Sequence, residues 1–145
     1  MTLIKFKAMG EVRVQVRLSN VADLASATAG QLDPKDVRTV EADALVDNGA
    51  VRSCVPRPLL DRLGIRPYET MLVEYANGQK EAVGLAEGVR FEILHRRSSD
   101  DALVVGDEVL IGQTLLEKMD LHVDCANQRV IPNPAHPDVP VNKLK

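Results

Sequence analysis

The residues best suited to chemistry lie at the end of an apolar run, where Asp47-Asn48-Gly49-Ala50 follows Ala44-Leu45-Val46. A carboxylate can act as a general acid or a general base, whereas Asn and Gly favour a tight turn. Local chemistry alone is therefore satisfied by an ordinary Asp-Asn-Gly surface turn. Two features weigh against that interpretation, because apolar residues bracket the turn and a short helical pattern follows it. The sequence thus places the Asp47 carboxylate at the tip of a segment with a buried character.

Other reactive side chains do not form a recognisable constellation. On a strand, His122 and Cys125 would point to opposite faces, and the remaining two His residues are isolated in sequence, so no zinc-binding spacing is present. Cys54 is interpreted as a small buried apolar residue, since no neighbouring His would activate its thiol. Ser53 lacks the Gly-x-Ser-x-Gly pattern of serine hydrolases. The sequence therefore predicts no metal site and no cofactor.

Composition and charge restrict the classes of partner. The 145 residues include no Trp, two Phe and two Tyr, so the core must be aliphatic. A net charge of −3 argues against a nucleic-acid partner, and no apolar run approaches membrane-spanning length. Two cysteines do not make a disulfide framework, so a reducing cytoplasm is expected. We therefore expect one domain over residues 1–145, in the cytoplasm, without a nucleic-acid or membrane partner.

The elements that must position Asp47 are mostly short strands. Strict alternation predicts a strand over residues 11–18, whose inner face carries Val12, Val14, Val16 and Leu18. Small and polar residues with Gly and Pro predict a long loop over 19–39. A second strand is expected to end at Leu45-Val46, and the Pro-rich tail at 132–145 is expected to be extended.

The second half of the chain is also rich in predicted strands. Ala76, Asn77 and Gly78 predict the tip of a hairpin between residues 71–75 and 79–83. Further strands are predicted at 88–95 and 102–111, with a charged loop at 96–101 between them. A last hairpin is predicted around Ala126-Asn127. The fold class is therefore all-β, with one or two short helices.

An internal similarity suggests two related halves. Residues 59–65 and 115–121 both read Leu-Leu-acid-base-apolar-x-aliphatic. Each follows an apolar strand and a glycine, Leu45-Val46 with Gly49 in the first half and residues 109–112 in the second. The pattern predicts two strand–turn–helix units within one domain.

Taken in order, these motifs resemble the retropepsin-like (retroviral-type) aspartic proteases, in particular the small single-domain bacterial members. The resemblance is carried by strand-Asp-x-Gly-Ala at 47–50, a Val-Pro step before the first helix, the turn-tipped hairpin, and Ile111-Gly112 before the second helix. It covers most of the chain from about Val12 to Pro132. It implies a closed barrel of the acid-protease type.

The resemblance also implies a function. In that family the aspartate faces its twin across a two-fold axis, so one Asp-x-Gly per chain implies a homodimer with Asp47 catalytic in each subunit. Gly49 and Ala50 would shape the active-site loop, and Ile111 and Gly112 would support it. The hairpin tip at 76–78 would be the flap that closes over a peptide or protein substrate.

Asn48 departs from the family pattern, which has Thr or Ser at that position with a hydroxyl that ties the two loops together. Three hypotheses follow. The first is an aspartic endopeptidase that hydrolyses peptide bonds. The second is a non-catalytic dimerisation or peptide-binding module of the same fold, which Asn48 favours. The third is an unrelated β-barrel in which Asp47-Asn48-Gly49 is a plain turn on a monomer.

Overall fold

The structure is a computed structural model that describes residues 10–144, and it is mostly β with three short helices. The strands are β1 (Val12–Asn20), β2 (Thr39–Val46), β3 (Glu69–Glu74), β4 (Lys80–Ile93), β5 (Arg96–Val104), β6 (Val109–Ile111), β7 (Leu121–Asp124) and β8 (Arg129–Pro132). The helices are α1 (Val21–Thr28), α2 (Arg57–Leu63) and α3 (Gln113–Met119), with one 3₁₀ turn at Pro34–Asp36. None of these described helices has the length and apolar character that spanning a membrane would require.

Six strands form the main sheet, in the order β3-β4-β1-β2-β6 with β5 also paired to β4. The β1–β2 ladder is antiparallel and runs from Val12 opposite Val46 to Ser19 opposite Thr39. The β2–β6 pair is parallel, with Val46 opposite Ile111. Because parallel strands carry their carboxyl ends to the same edge, the residues that follow Val46 and Ile111 meet there.

A short extended segment links two strands that do not pair with each other. The Val55 N–H donates to the Leu103 carbonyl on β5 (2.9 Å), and the Leu103 N–H donates back to the Ser53 carbonyl (3.0 Å). The Cys54 N–H donates to the Leu110 carbonyl on β6 (2.9 Å). Within the described residues, β3, β5 and β6 each pair with only one strand, so strand pairing by itself does not produce the predicted closed barrel.

The core lies between the sheet and the helices α2 and α3, and it is aliphatic apart from Phe91, as the composition predicts. Both helices end in the same way, at Gly64 (φ 69°) and Asp120 (φ 55°), each in the left-handed region. Each helix turns its apolar side inward through the buried residues Leu60, Leu63, Leu115, Leu116 and Met119. The two predicted strand–turn–helix units are therefore present.

The long loop predicted for residues 19–39 is wrong for much of that range, which holds the end of β1, helix α1 and the 3₁₀ turn. The buried Asn20 side chain caps α1 by accepting from the Asp23 N–H (3.0 Å), and it donates to the Leu63 carbonyl (2.8 Å). The Arg38 guanidinium bonds the Asp23 carboxylate and holds its pKa low, at about 2. Capping and this ion pair stabilise a helix whose composition resembles that of a loop.

Strands β4 and β5 differ from the prediction in their bounds. Strand β4 runs continuously through both predicted pieces, with a register shift between Ala86 and Val89 and Gly88 at φ 79°. The chain reverses at Leu94 and His95 (φ 51° and 66°), so the predicted charged loop at 96–101 is instead the first part of β5. A turn without Gly or Asn gives no local signal, which is why the reversal was missed.

The last hairpin is present as the separate β7–β8 sheet. Beyond it the tail bends back onto Asp120 instead of simply extending. The Asp120 carboxylate accepts from the Val141 N–H (2.9 Å), from the Asn133 amide (2.8 Å) and contacts His136 Nδ1 (2.7 Å). These hydrogen bonds, that of Val141 first, lower the pKa of Asp120 to about 2. The buried Arg96 donates to the Asp120 and His136 carbonyls and completes the anchor.

Candidate active site

Asp47 is the first residue after β2, and the β2–β6 pair positions its backbone. The Asp47 N–H donates to the Ile111 carbonyl (2.9 Å), which extends the parallel ladder by one hydrogen bond. Val46 and Ile111 are both buried, whereas Asp47, Asn48 and Gly49 are exposed. The carboxylate therefore projects from the end of a rigid, buried pair of strands.

The turn at Asp47 orients its own carboxylate. The Ala50 N–H donates to the Asp47 carbonyl (3.2 Å), and the Gly49 N–H donates to Asp47 Oδ1 (2.9 Å). A Cβ on Gly49 would lie 3.2 Å from the same Oδ1, although Gly49 does not have a positive φ. Glycine is thus favoured here because the backbone and the carboxylate approach closely. Both the plain-turn hypothesis and the active-site hypothesis are compatible with these contacts.

Gly112 brings the second half of the chain against this loop. A Cβ at Gly112 would lie 2.6 Å from the Arg52 carbonyl oxygen and 3.0 Å from that of Ala50. The next residue, Gln113, donates its N–H to the Ala50 carbonyl (2.7 Å). The structure therefore places Ile111 and Gly112 beside the 47–50 loop, the location in which they were predicted to support it.

Ser53 is a structural member of the site that the sequence did not reveal. Its side chain is buried, and its Oγ accepts a hydrogen bond from the Gly112 N–H (3.0 Å). This contact spans 59 residues of sequence. The sequence around Ser53 lacks a nucleophile motif, and its role as a hydrogen-bond acceptor depends on a long-range contact that no local pattern encodes.

Within the described residues, Asn48 makes no hydrogen bonds that could replace those of the Thr or Ser hydroxyl in the family pattern. Its side chain is exposed and makes no hydrogen bond to any residue in 10–144. The loop is instead held by the backbone contacts described above, with an exposed Arg52–Asp101 ion pair (3.0 Å) at its far side.

The hairpin tip at Ala76, Asn77 and Gly78 is a well-formed turn at the predicted position. The Gly78 N–H donates to the Tyr75 carbonyl (2.8 Å), and Gly78 has φ 85°. The tip is exposed, and no hydrogen bond joins it to the 47–50 loop within the described residues. The structure of one chain thus brings together 47–50 and 111–112 but leaves the tip apart.

The base of the hairpin nevertheless shares a support with the Asp47 loop. A small second core beneath the hairpin contains the buried residues Val83, Leu85 and Leu103, with Cys54 packed against them. Cys54 also bonds β6, which leads directly to Ile111 and Gly112. The hairpin base and the strand that carries Ile111 therefore have Cys54 as a common neighbour.

Alternative chemistry finds no support around Cys54 or the His residues. Burial raises the pKa of the Cys54 thiol, which disfavours the nucleophilic thiolate. His122 and Cys125 are both exposed, and among residues 10–144 no three His, Cys, Asp or Glu side chains group closely enough to hold a metal ion. Compared with the Cys54 thiol and the His side chains, the Asp47 carboxylate is the reactive group that lies exposed on a loop held by backbone hydrogen bonds.

Comparison with known proteins gives similarities among solved structures. No family model and no curated protein matches the chain. The protease of simian foamy virus (mac) is 19% identical, with a TM-score of 0.45, over 72% of this chain and 90% of that one. The foamy viral protease–reverse transcriptase in complex with an RNA/DNA hybrid is 15% identical, with a TM-score of 0.49, over 74% of this chain and 12% of that one. Both are likenesses of fold and assign no activity to this chain.

Proposed function

We propose that the chain is an aspartic endopeptidase of the retropepsin-like type, which acts as a homodimer on peptide or protein substrates in the cytoplasm. The observation that carries the proposal is the exposed Asp47 carboxylate on a loop fixed from both sides, by Ile111 through the backbone and by Gly112 through close packing. On this proposal the sheet acts as a barrel that residues 53–55 close between β5 and β6.

The chemistry follows from pairing two such carboxylates. Two Asp47 side chains held together across a two-fold axis cannot both ionise, so one keeps its proton. The ionised carboxylate acts as general base on a water molecule, and the protonated one donates a hydrogen bond to the scissile carbonyl. The pair titrates as a unit, so neither subunit owns a particular pKa.

The homodimer is required because each chain contributes one Asp-x-Gly. The corresponding position of the second half is Ile111 before Gly112, which offers no carboxylate. Around Asp47 the surface is open and partly apolar, since Val51 is 70% exposed. A symmetric interface would cover this surface with the same surface of a second copy. A plain turn on a monomer would leave it exposed.

The hairpin of β3 and β4 is proposed to close over the substrate. Its tip at 76–78 makes no hydrogen bond to the 47–50 loop within the described residues, and its base rests on the small core next to Cys54. Such a hairpin can pivot at its base, exclude water and offer backbone groups to an extended peptide.

The test is cleavage of a mixed peptide library from mildly acidic to neutral pH, at high protein concentration, by the native chain and by Asp47→Asn. The matched control is Asp61→Asn, because Asp61 is an exposed carboxylate on α2. Cleavage that is lost in Asp47→Asn and kept in Asp61→Asn supports the proposal. Absence of cleavage, from protein shown to be dimeric by sedimentation in the same buffer, overturns it. A strict monomer at every concentration favours the plain-turn hypothesis.

A second candidate function is a non-catalytic dimerisation or peptide-binding module, and Asn48 is the observation that favours it. Its amide reaches no partner within the described chain, whereas a Thr or Ser hydroxyl at this position would be the family pattern. The variant Asn48→Thr separates the two functions. Cleavage that first appears in Asn48→Thr identifies the native chain as such a module.

A further inference from the structure

We propose that a cleft between α1 and the main sheet binds a monocarboxylate that carries an apolar tail. The cleft has a volume of about 1030 Å³ and is open to solvent. It lies between α1 with the 3₁₀ turn and the outward-facing side chains of β1, β4 and β5. None of the residues predicted to form the peptidase site lines it, and the proposal does not depend on the peptidase function.

One wall of the cleft is apolar and incompletely covered. Among the residues of α1, Asp23 alone is buried, whereas Val21, Leu24 and Ala27 are only half-buried. The apolar side of a helix that lies on a sheet is normally buried against that sheet. Here a gap separates them, and Pro34 and Val37 extend the same apolar wall.

The opposite wall is polar and cationic, and most of its charges are already paired. Arg17 bonds Glu41 (2.7 Å), and Arg97 lies 3.6 Å from Glu92. A further cation of the lining, Lys35, belongs to the 3₁₀ turn on the α1 side and lies 3.9 Å from Asp33. These pairs leave one cation of the lining, which lies towards the carboxyl end of β4.

That unmatched cation is Arg90. It is half-buried, and no carboxylate of the described residues lies within ion-pair distance of its guanidinium. Within the described residues its one side-chain hydrogen bond is a long one to the Oγ of Ser99 (3.4 Å), and Ser99 also lines the cleft. A guanidinium carries five donors in a planar fork that matches a carboxylate bidentately. Arg90 is thus positioned to receive a carboxylate while α1 receives an apolar chain.

The geometry favours this class of ligand over others. A single unmatched cation neutralises one carboxylate, whereas a polyphosphate would need several. The volume is at the upper end of that of small-molecule sites. The cleft lies at the Ser19–Thr39 end of the β1–β2 ladder, and Asp47 follows the Val46 end. Seven residue-to-residue steps along β2 separate the two ends, about 23 Å, so a ligand here would not occupy the proposed peptidase site.

The experiment is titration of the native chain with decanoate, below its micelle-forming concentration, followed by amide chemical shifts in NMR spectra. Decanol is the control for the apolar tail. Acetyl-Leu-Leu with a free C-terminal carboxylate is titrated in the same way, and acetyl-Leu-Leu amide is its control. This pair shows whether the carboxylate can come from a peptide as well as from a fatty acid. We expect at least one of the two carboxylates, decanoate or acetyl-Leu-Leu, to shift the amide signals of α1, β4 and β5. Decanol and the peptide amide are expected to have little effect on these signals. Binding of neither carboxylate, or equal binding of decanol, overturns the proposal.

Two variants locate the anchor. Arg90→Gln is expected to raise the Kd of the bound carboxylate at least about tenfold, because a charged hydrogen-bonded partner is lost. The matched control Arg66→Gln, at an exposed position outside the cleft, should leave the Kd unchanged. Equal affinities in the two variants would overturn the role of Arg90. If Arg90→Gln does not fold, the decanoate–decanol comparison in the native chain still decides.

Discussion

Gly112→Ala tests whether the second half of the chain fixes the Asp47 loop. The new Cβ would lie 2.6 Å from the Arg52 carbonyl oxygen, 2.7 Å from its carbonyl carbon and 3.0 Å from the Ala50 oxygen. All three are backbone atoms, so no side-chain rotation can relieve the contact. Since ordinary contact begins at 3.4 Å, the segment at 50–52 would have to retreat by about 0.8 Å.

The magnitude follows from two opposing effects. Overpacking in a well-packed site typically destabilises by about 1–3 kcal/mol, and replacing Gly by Ala returns about 0.4–1 kcal/mol through the unfolded chain. We therefore expect Gly112→Ala to lower the free energy of unfolding by about 1–2 kcal/mol. Movement of 50–52 would also displace Asp47, so the proposed peptidase activity should fall by more than the loss of folded protein explains.

The assay is urea unfolding followed by far-UV circular dichroism, because the chain has no Trp for fluorescence. The matched control is Gly49→Ala, whose Cβ meets only Asp47 Oδ1, at 3.2 Å. That side-chain atom can move, so the stability of Gly49→Ala should change by less than about 0.5 kcal/mol. The reasoning is refuted if Gly112→Ala is as stable as the native chain, or if both variants lose the same stability.

Three further changes probe the contacts that hold the fold. Ser53→Ala should lower the free energy of unfolding by about 1–3 kcal/mol, measured in urea, because it leaves the buried Gly112 N–H without its acceptor. Asn20→Ala should lower the melting temperature, since loss of a helix cap costs about 1 kcal/mol. The folded-state pKa of Asp120 is lowered to about 2, from 3.8, first by the Val141 N–H. Its contribution to stability is therefore complete above about pH 4 and lost as the pH falls through about 2, and Asp120→Asn should flatten acid unfolding curves over that range.

The outcomes that would contradict these expectations are specific. Unchanged urea midpoints for Ser53→Ala would mean that water or another group satisfies Gly112. An unchanged melting temperature for Asn20→Ala would mean that α1 does not need its cap. Identical acid unfolding of the native chain and Asp120→Asn would show that the tail does not anchor on this carboxylate.

Much of the framework could be predicted because its signals are local. Alternating Val residues define the buried face of β1, and Asn77-Gly78 defines the hairpin tip, where Gly78 has a positive φ. Glycine at 64 ends α2 for the same reason. The Asp47 turn was also evident, since Asp, Asn and Gly satisfy a turn with their own backbone and side chains.

The parts that were missed depend on partners distant in sequence. Helix α1 is held by Arg38, which is 15 residues from its partner Asp23, and by the carbonyl of Leu63, which lies outside 19–39. Neither contact follows from a pattern of adjacent residues. The reversal at Leu94 and His95 is imposed by the pairing of β4 with β5, although Leu94 is not a residue type that favours a positive φ.

The sequence by itself determined that a carboxylate sits on a tight turn after an apolar strand, because those preferences belong to adjacent residues. Only the tertiary structure decided what holds that turn. Ser53 and Gly112 meet across 59 residues, and the parallel pairing of β2 with β6 brings Ile111 to Asp47. Such contacts form because burial selects one packing of the whole chain, and no short segment contains that information.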